Sequence, residues 1–259
     1  MAKGAKTYLA KAKSWAARNG LHGSAAFSKY GMLTYMEHLC SESNEFVFKG
    51  GNLLWVYIGT PRVTVDLDFV TNTLYEHEDV KSHLEAVCSQ ATDGIKFSLK
   101  SFKAIERENG RGAAVRMKYR TEQGQENTFD IDVVYAVNTL TEIVSSPIDG
   151  HSIQAAAMEN IIADKLDASH SYVAGNTRMK DFDDLWRISK SKNKPINWQK
   201  LKKLLTDRMI KVSLNKDWIT DSMRELWRVH ASEYEDLPKD LNSLFEEVNL
   251  WLERCDGES

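Results

Sequence analysis

The chain has 259 residues, 42% of them hydrophobic and 27% charged, with a net charge of −3. That is one large domain or two small ones, with too much core material for wholesale disorder and no need of a disulfide or metal staple. No run approaches 18 apolar residues, which excludes a transmembrane helix and predicts a chain with no membrane partner. Charge is unevenly spread. Residues 1–36 carry six Lys/Arg and no acid, and residues 178–216 carry twelve Lys/Arg against four Asp. Such segregation suits an anionic partner, or two solvated helix faces. Cys40, Cys88 and Cys255 have no metal-ligand spacing, which predicts reduced thiols and a cytoplasmic setting.

The elements follow in chain order. Tyr8, Leu9, Ala12, Trp15 and Ala16 form one helical stripe; Phe27, Tyr30, Leu33, Met36 and Leu39 form another, with a break at Asn19-Gly20 and Gly23-Ser24. Phe46-Val47-Phe48 reads as a short strand. Residues 62–70 alternate, with Val63, Val65, Leu67 and Phe69 facing one way and Arg62, Thr64, Asp66 and Asp68 the other. A helix is expected near 76–91. Strands are expected around Phe97, Met117 and Ile131, with hairpin loops at 109–112 and 122–125. From Pro147 onward the pattern predicts helices only, near 153–170, 178–191, 197–212, 217–231 and 239–254. The expected division is residues 1–44 as N-terminal helices, 45–146 as an α/β core and 147–259 as a helical C-terminal domain.

The chemistry concentrates in Lys49 to Phe69. A strand ends in Gly50-Gly51 and opens a short helix from Asn52 to Ile58. Paired glycines let a ligand approach the backbone, and a helix start offers N–H groups to an anion. The next strand carries Asp66 and Asp68. Residues two apart on a strand point the same way, so a hard divalent cation such as Mg²⁺ can sit between them. A phosphate cradle beside a metal-binding pair is what phosphoryl or nucleotidyl transfer requires.

Two further groups stand out. Asp130 and Asp132 repeat the strand spacing, and Asp132 is the preferred candidate for a third carboxylate, as general base or second metal ligand. Lys165 lies on one helical stretch, with Asp181 and Asp184 at i, i+3 on the next. Spacing alone leaves a buried ion pair and a contact to nucleotide phosphate equally open. Trp186, Trp198, Trp218 and Trp227 could stack on bases, although helical Trp is more often core.

KGG, R-x-T-x-D-L-D-F, a helical Lys and R-x-K-D-F-x-D-L, in that order, resemble the AbiEii/AbiGii toxins. These are nucleotidyltransferases of the DNA-polymerase-β-like superfamily and belong to type IV toxin–antitoxin and phage-defence systems. The resemblance covers about residues 45–190. It implies an α+β fold: a polymerase-β-like core of mixed sheet and flanking helices, then a helical C-terminal region. It implies Lys49, Gly50, Gly51, Asn52, Arg62 and Thr64 at the nucleotide, with Asn52 where many relatives have Ser or Thr. Asp66 and Asp68 match the metal-binding pair, for Mg²⁺ or Mn²⁺. Lys165 matches the family's helical lysine, and Asp181 and Asp184 match the acids of K-D-x-x-D. The implied reaction moves a nucleoside monophosphate from an NTP to an acceptor hydroxyl, foremost the 3′ end of tRNA, and so blocks translation, with a cognate antitoxin as partner. The basic helices of 178–216 and the basic N-terminus would suit RNA. A protein hydroxyl as acceptor, or NTP and RNA binding without turnover, are the alternatives.

Overall fold

A computed structural model of the chain describes residues 7–90, 94–107, 110–172 and 177–257. Lys3 and Lys6 of the basic N-terminus, and Asn109 of the expected hairpin loop, lie outside them. The chain forms two compact units. The first comprises residues 1–56 and 61–156, the second residues 57–60 and 157–259.

The first unit opens with α1 (Tyr8–Arg18) and α2 (Gly23–Glu42). Thr7 starts α1 by accepting from the backbone N–H of Ala10 through its side chain. Then come β1 (Phe46–Lys49), α3 (Gly50–Ile58), β2 (Asp66–Thr71) and α4 (His77–Cys88). The strands β3 (Ile95–Arg107), β4 (Gly110–Thr121), β5 (Glu126–Val134), β6 (Thr141–Ser145) and β7 (Ser152–Ala156) follow. The strands make one mixed sheet of seven, in the order β3-β4-β5-β2-β1-β7-β6. β2 runs parallel to β5 and β1 parallel to β7, while the other neighbours are antiparallel.

Period-2 alternation sets the faces. Leu67, Phe69, Val115, Met117, Tyr119, Phe129 and Ile131 are buried on one side. Tyr35 of α2 packs edge-on against Phe97 and Phe129 there, with ring centroids 5.1 and 5.5 Å apart. The other side carries Asp66, Asp68, Asp130 and Asp132, none of them buried.

Three expectations are corrected. Residues 62–65 are not strand, and their burial is inverted: Val63 and Val65 are 61% and 72% exposed, whereas Arg62 and Thr64 are buried. The polar pair turns inward because Gly51 leaves room for it, as shown below. Gly110-Arg111-Gly112 is strand rather than loop; β3 and β4 pair out to Arg107 opposite Gly110. A Cβ on Gly112 would strike the Val133 carbonyl oxygen, so this close strand approach depends on glycine. Finally, residues 141–156 form a β-hairpin. Its turn is closed by Ser146 N–H donating to the His151 carbonyl at 2.7 Å, with Gly150 at φ +77°.

The second unit holds α5 (Met158–Tyr172), α6 (Met179–Lys190), α7 (Trp198–Asp207), a 3-10 turn (Lys216–Trp218), α8 (Asp221–Ser232), α9 (Leu241–Leu252) and α10 (Arg254–Gly257). Asn197, Thr220 and Asp240 cap α7, α8 and α9 through side-chain oxygens. Its core includes Phe182 against Phe245 at 5.0 Å and Trp198 against Trp251 at 5.3 Å. Trp198 and Trp227 are therefore core residues. Trp186 donates to Glu247 at 2.8 Å, and Trp218 meets the His170 ring edge-on at 4.6 Å. All three cysteines are free thiols.

Candidate nucleotide and metal site

The site in the first unit is built where β1 passes into α3. Lys49 ends β1 opposite Asp68 of β2 in the antiparallel ladder. Gly50 then adopts φ +76°, and a Cβ there would collide with the Asp68 carboxylate. Only glycine satisfies both the left-handed backbone and the contact. A Cβ on Gly51 would lie 2.6 Å from Arg62 Nη2 and 2.7 Å from Thr64 Oγ1. The two glycines thus hold separate clearances, one for the carboxylate strand and one for the Arg62–Thr64 segment.

Asn52 sits one residue further on and is buried. Its Nδ2 donates to the Asp66 carbonyl at 2.6 Å, which ties the start of α3 to the start of β2. That bond orients the amide, and Asn52 Oδ1 then has no hydrogen-bond partner among the described residues. Thr64 Oγ1 is buried and likewise without a partner. A buried polar atom without a partner costs about 1–3 kcal/mol, so water or a bound ligand would stabilise both positions.

One residue here escaped the sequence reading. Lys29 of α2 is buried with its ammonium 4.1 Å from the centre of the Trp55 ring on α3. Among the described residues no carboxylate pairs with it. Burial, with the Arg62 charge adding to it, pulls Lys29 down to about 8 from the usual 10.5. Two neighbouring cations thus stand beside α3, Arg62 against Gly51 and Lys29 against Trp55.

The carboxylates are aligned by strand register. Asp66 stands opposite Asp130, and Asp68 opposite Asp132, across the parallel β2–β5 ladder. Cross-strand partners share a face at about 4.8 Å separation. The two β5 acids differ in surroundings. Asp130 takes a two-pronged bond from Arg116, Nε to Oδ1 at 2.7 Å and Nη2 to Oδ2 at 2.9 Å, and this holds its carboxyl below the usual range. Asp132 lies in the row of Asp68, opposite Ala114 of β4.

The donor set fits a hard divalent cation held in part by substrate. Among the described residues no three His, Cys, Asp or Glu side chains are gathered to hold a metal. Asp66 and Asp68 are a pair of oxygen donors, and Mg²⁺ is commonly bound by one or two carboxylates together with phosphates and water.

The second unit contains the other sequence-predicted group. Lys165 Nζ on α5 donates to Asp181 Oδ1 at 3.1 Å and to Asp184 Oδ2 at 2.5 Å on α6. Arg178 Nε reaches Asp181 Oδ2 at 2.6 Å. Asp184 is fully buried, so Lys165 is held in place by a desolvated carboxylate. The ion pair that spacing left open is therefore formed. Sequence reasoning missed a neighbouring network: fully buried Asp183 accepts from Arg187 Nε at 2.6 Å and contacts His230 Nε2 at 2.9 Å.

Two solved structures share the fold. A candidate nucleotidyltransferase from Helicobacter pylori is 19% identical, with a TM-score of 0.57 over 92% of this chain and 97% of that one. The JHP933 protein of Helicobacter pylori is 20% identical, with a TM-score of 0.54 over 88% and 91%. No curated protein is similar enough to count as a match. The family profile described as nucleotidyl transferase AbiEii toxin, type IV toxin–antitoxin system, matches residues 35–250. The chain belongs to that family and is a nucleotidyltransferase; membership implies an NTP substrate and an antitoxin partner.

Proposed function

We propose that the protein transfers a nucleoside monophosphate from an NTP to the 3′-terminal hydroxyl of tRNA, in the presence of Mg²⁺ or Mn²⁺. The observation that carries this reading is the packing of Gly50 on Asp68, which sets a helix start and a carboxylate pair side by side. The N–H groups at the start of α3 take the triphosphate, with Lys29 and Arg62 supplying positive charge. Asn52 and Thr64 offer their unpartnered oxygens to the same nucleotide. Asp66 and Asp68 would hold the metal ion, which when bound neutralises phosphate charge and acidifies the attacking hydroxyl. Asp132 accepts the proton of that hydroxyl. The acceptor oxygen bonds to the α-phosphorus, the α–β anhydride bond breaks, and pyrophosphate leaves. Lys165, Asp181 and Asp184 are assigned to the reaction on the family resemblance, Lys165 as a point charge for phosphate.

Incubation with each α-labelled NTP, divalent cation and bulk tRNA tests the proposal. Label on RNase-sensitive material from the wild type but not from Asp66→Ala supports it. Label that survives RNase and migrates with protein, or none despite NTP binding, overturns the RNA acceptor.

A further inference from the structure

The face bearing Asp66, Asp68 and Asp132 continues outward across β5, β4 and β3. From Asp68 the row passes through Asp132 and Ala114 to Lys103. The next row holds Asp130, Arg116 and Ser101, and the row beyond it Thr128, Lys118 and Ser98. The last holds Glu126, Arg120 and Lys96. A bulge between Leu99 and Ser101 adds Lys100. Lys96, Lys100, Lys103, Arg116 and Arg120 are all exposed.

The charges on this face do not cancel. Arg116 is engaged by Asp130, and Lys118 by Glu126 at 2.5 Å. Lys96 and Lys103 have no carboxylate partner among the described residues, and Lys100 meets Glu126 only through its field. The β3 edge is thus a stripe of excess positive charge roughly 20 Å long, and Lys103 stands about 14 Å, three strand spacings, from Asp68. Serine, threonine and alanine fill the positions between, so the surface offers cations and hydroxyls but no aromatic platform. That chemistry recognises a sugar–phosphate backbone without reading bases.

We propose that this β3–β4 face is the track on which the phosphates of the acceptor RNA lie, leading its terminal hydroxyl to Asp66, Asp68 and Asp132. The inference deepens the RNA-acceptor reading and rests on it. It moves the RNA from the basic helices of 178–216 to the open sheet.

The test is binding of fluorescein-labelled bulk tRNA to the full chain between 50 and 300 mM KCl. The triple variant Lys96→Glu/Lys100→Glu/Lys103→Glu keeps the edge strand charged, and so protected against strand pairing. Three lost phosphate contacts lower the slope of log K against log salt by about 2 and weaken binding by at least about fifty-fold at 0.15 M salt. The matching lysine-to-arginine triple should bind like the wild type, and NTP-induced thermal stabilisation should be unchanged in both. An equivalent triple on α7, Lys200→Glu/Lys202→Glu/Lys203→Glu, should keep the wild-type slope. If the α7 triple lowers the slope and the β3 triple does not, the track is wrong while labelling of tRNA by the wild type still upholds the RNA reading. If the wild type neither binds nor labels tRNA, both fall.

Discussion

Lys29→Met gives two measurements expected to move in opposite directions. The side chain keeps its length and packing but loses a charge buried beside Arg62 and Trp55. Lowering the ammonium from 10.5 to about 8 corresponds to about 3 kcal/mol of unfavourable charge burial at neutral pH. Losing the contact with the Trp55 ring returns about 1 kcal/mol. The ligand-free variant should therefore be about 2 kcal/mol more stable, or roughly 4–8 °C higher in Tm for a unit of this size. The penalty is fully present below pH 8. Between about 8 and 10.5 the unfolded chain holds a proton that the folded one has released, so wild-type stability rises across that window. The variant lacks this rise, and the two curves converge at its upper end. NTP affinity should fall by about ten- to a hundred-fold, the worth of one charge-assisted phosphate contact. Urea unfolding at pH 7 and pH 9.5, with NTP titration at pH 7, reads both effects. A variant that is less stable without ligand and binds NTP as well as the wild type would refute the assignment of Lys29 to the triphosphate.

The carboxylates allow sharper tests of chemistry. Asp66→Asn and Asp68→Asn should each lower incorporation of α-labelled NTP by at least about a hundred-fold, and chelation should abolish it until Mg²⁺ or Mn²⁺ is restored. Asp132→Asn should lose comparable activity. Asp130→Ala should keep activity and change stability by less than about 1 kcal/mol, because its bond with Arg116 is solvent-exposed. Gly50→Ala should destabilise the first unit by more than about 1 kcal/mol in urea unfolding, since the new Cβ meets both an unfavourable φ and the Asp68 carboxylate. Asp184→Ala should cost about 3–5 kcal/mol by leaving Lys165 short of its buried partner.

The sequence was legible where one periodicity dominated. The alternation around Phe97, Met117 and Ile131 fixed the buried face of the sheet, and with it the exposed positions of Asp130 and Asp132. Gly50-Gly51 and Asp66-x-Asp68 were readable because clearance and same-face spacing are local properties. Arg62 and Thr64 were misassigned to a strand because their inward turn depends on the missing side chain of Gly51, a tertiary fact. Lys29 looked like one more lysine of a basic N-terminus; nothing within α2 shows that Arg62, thirty-three positions later, comes alongside. The 141–156 hairpin was missed because its strands are only five residues each and β6 is half exposed. The pattern after Pro147 reads as helical throughout, yet Asp149-Gly150 is the turn of this hairpin.

The parallel pairing of β2 with β5 also governs when a growing chain can bring its carboxylates into line. Asp66 and Asp68 meet Asp132 only after some sixty residues of intervening chain have been made and the β3–β4 hairpin has folded back. β1, which leads into Gly50-Gly51, meets its parallel neighbour at Ala155. Contacts so distant in sequence form late, because the entropy of closing long loops is paid before they are rewarded. A ribosome stalled before β5 therefore carries the glycines and the first two aspartates without the row that aligns them. The alignment of these carboxylates comes only with the closing strands of the sheet, late in the chain.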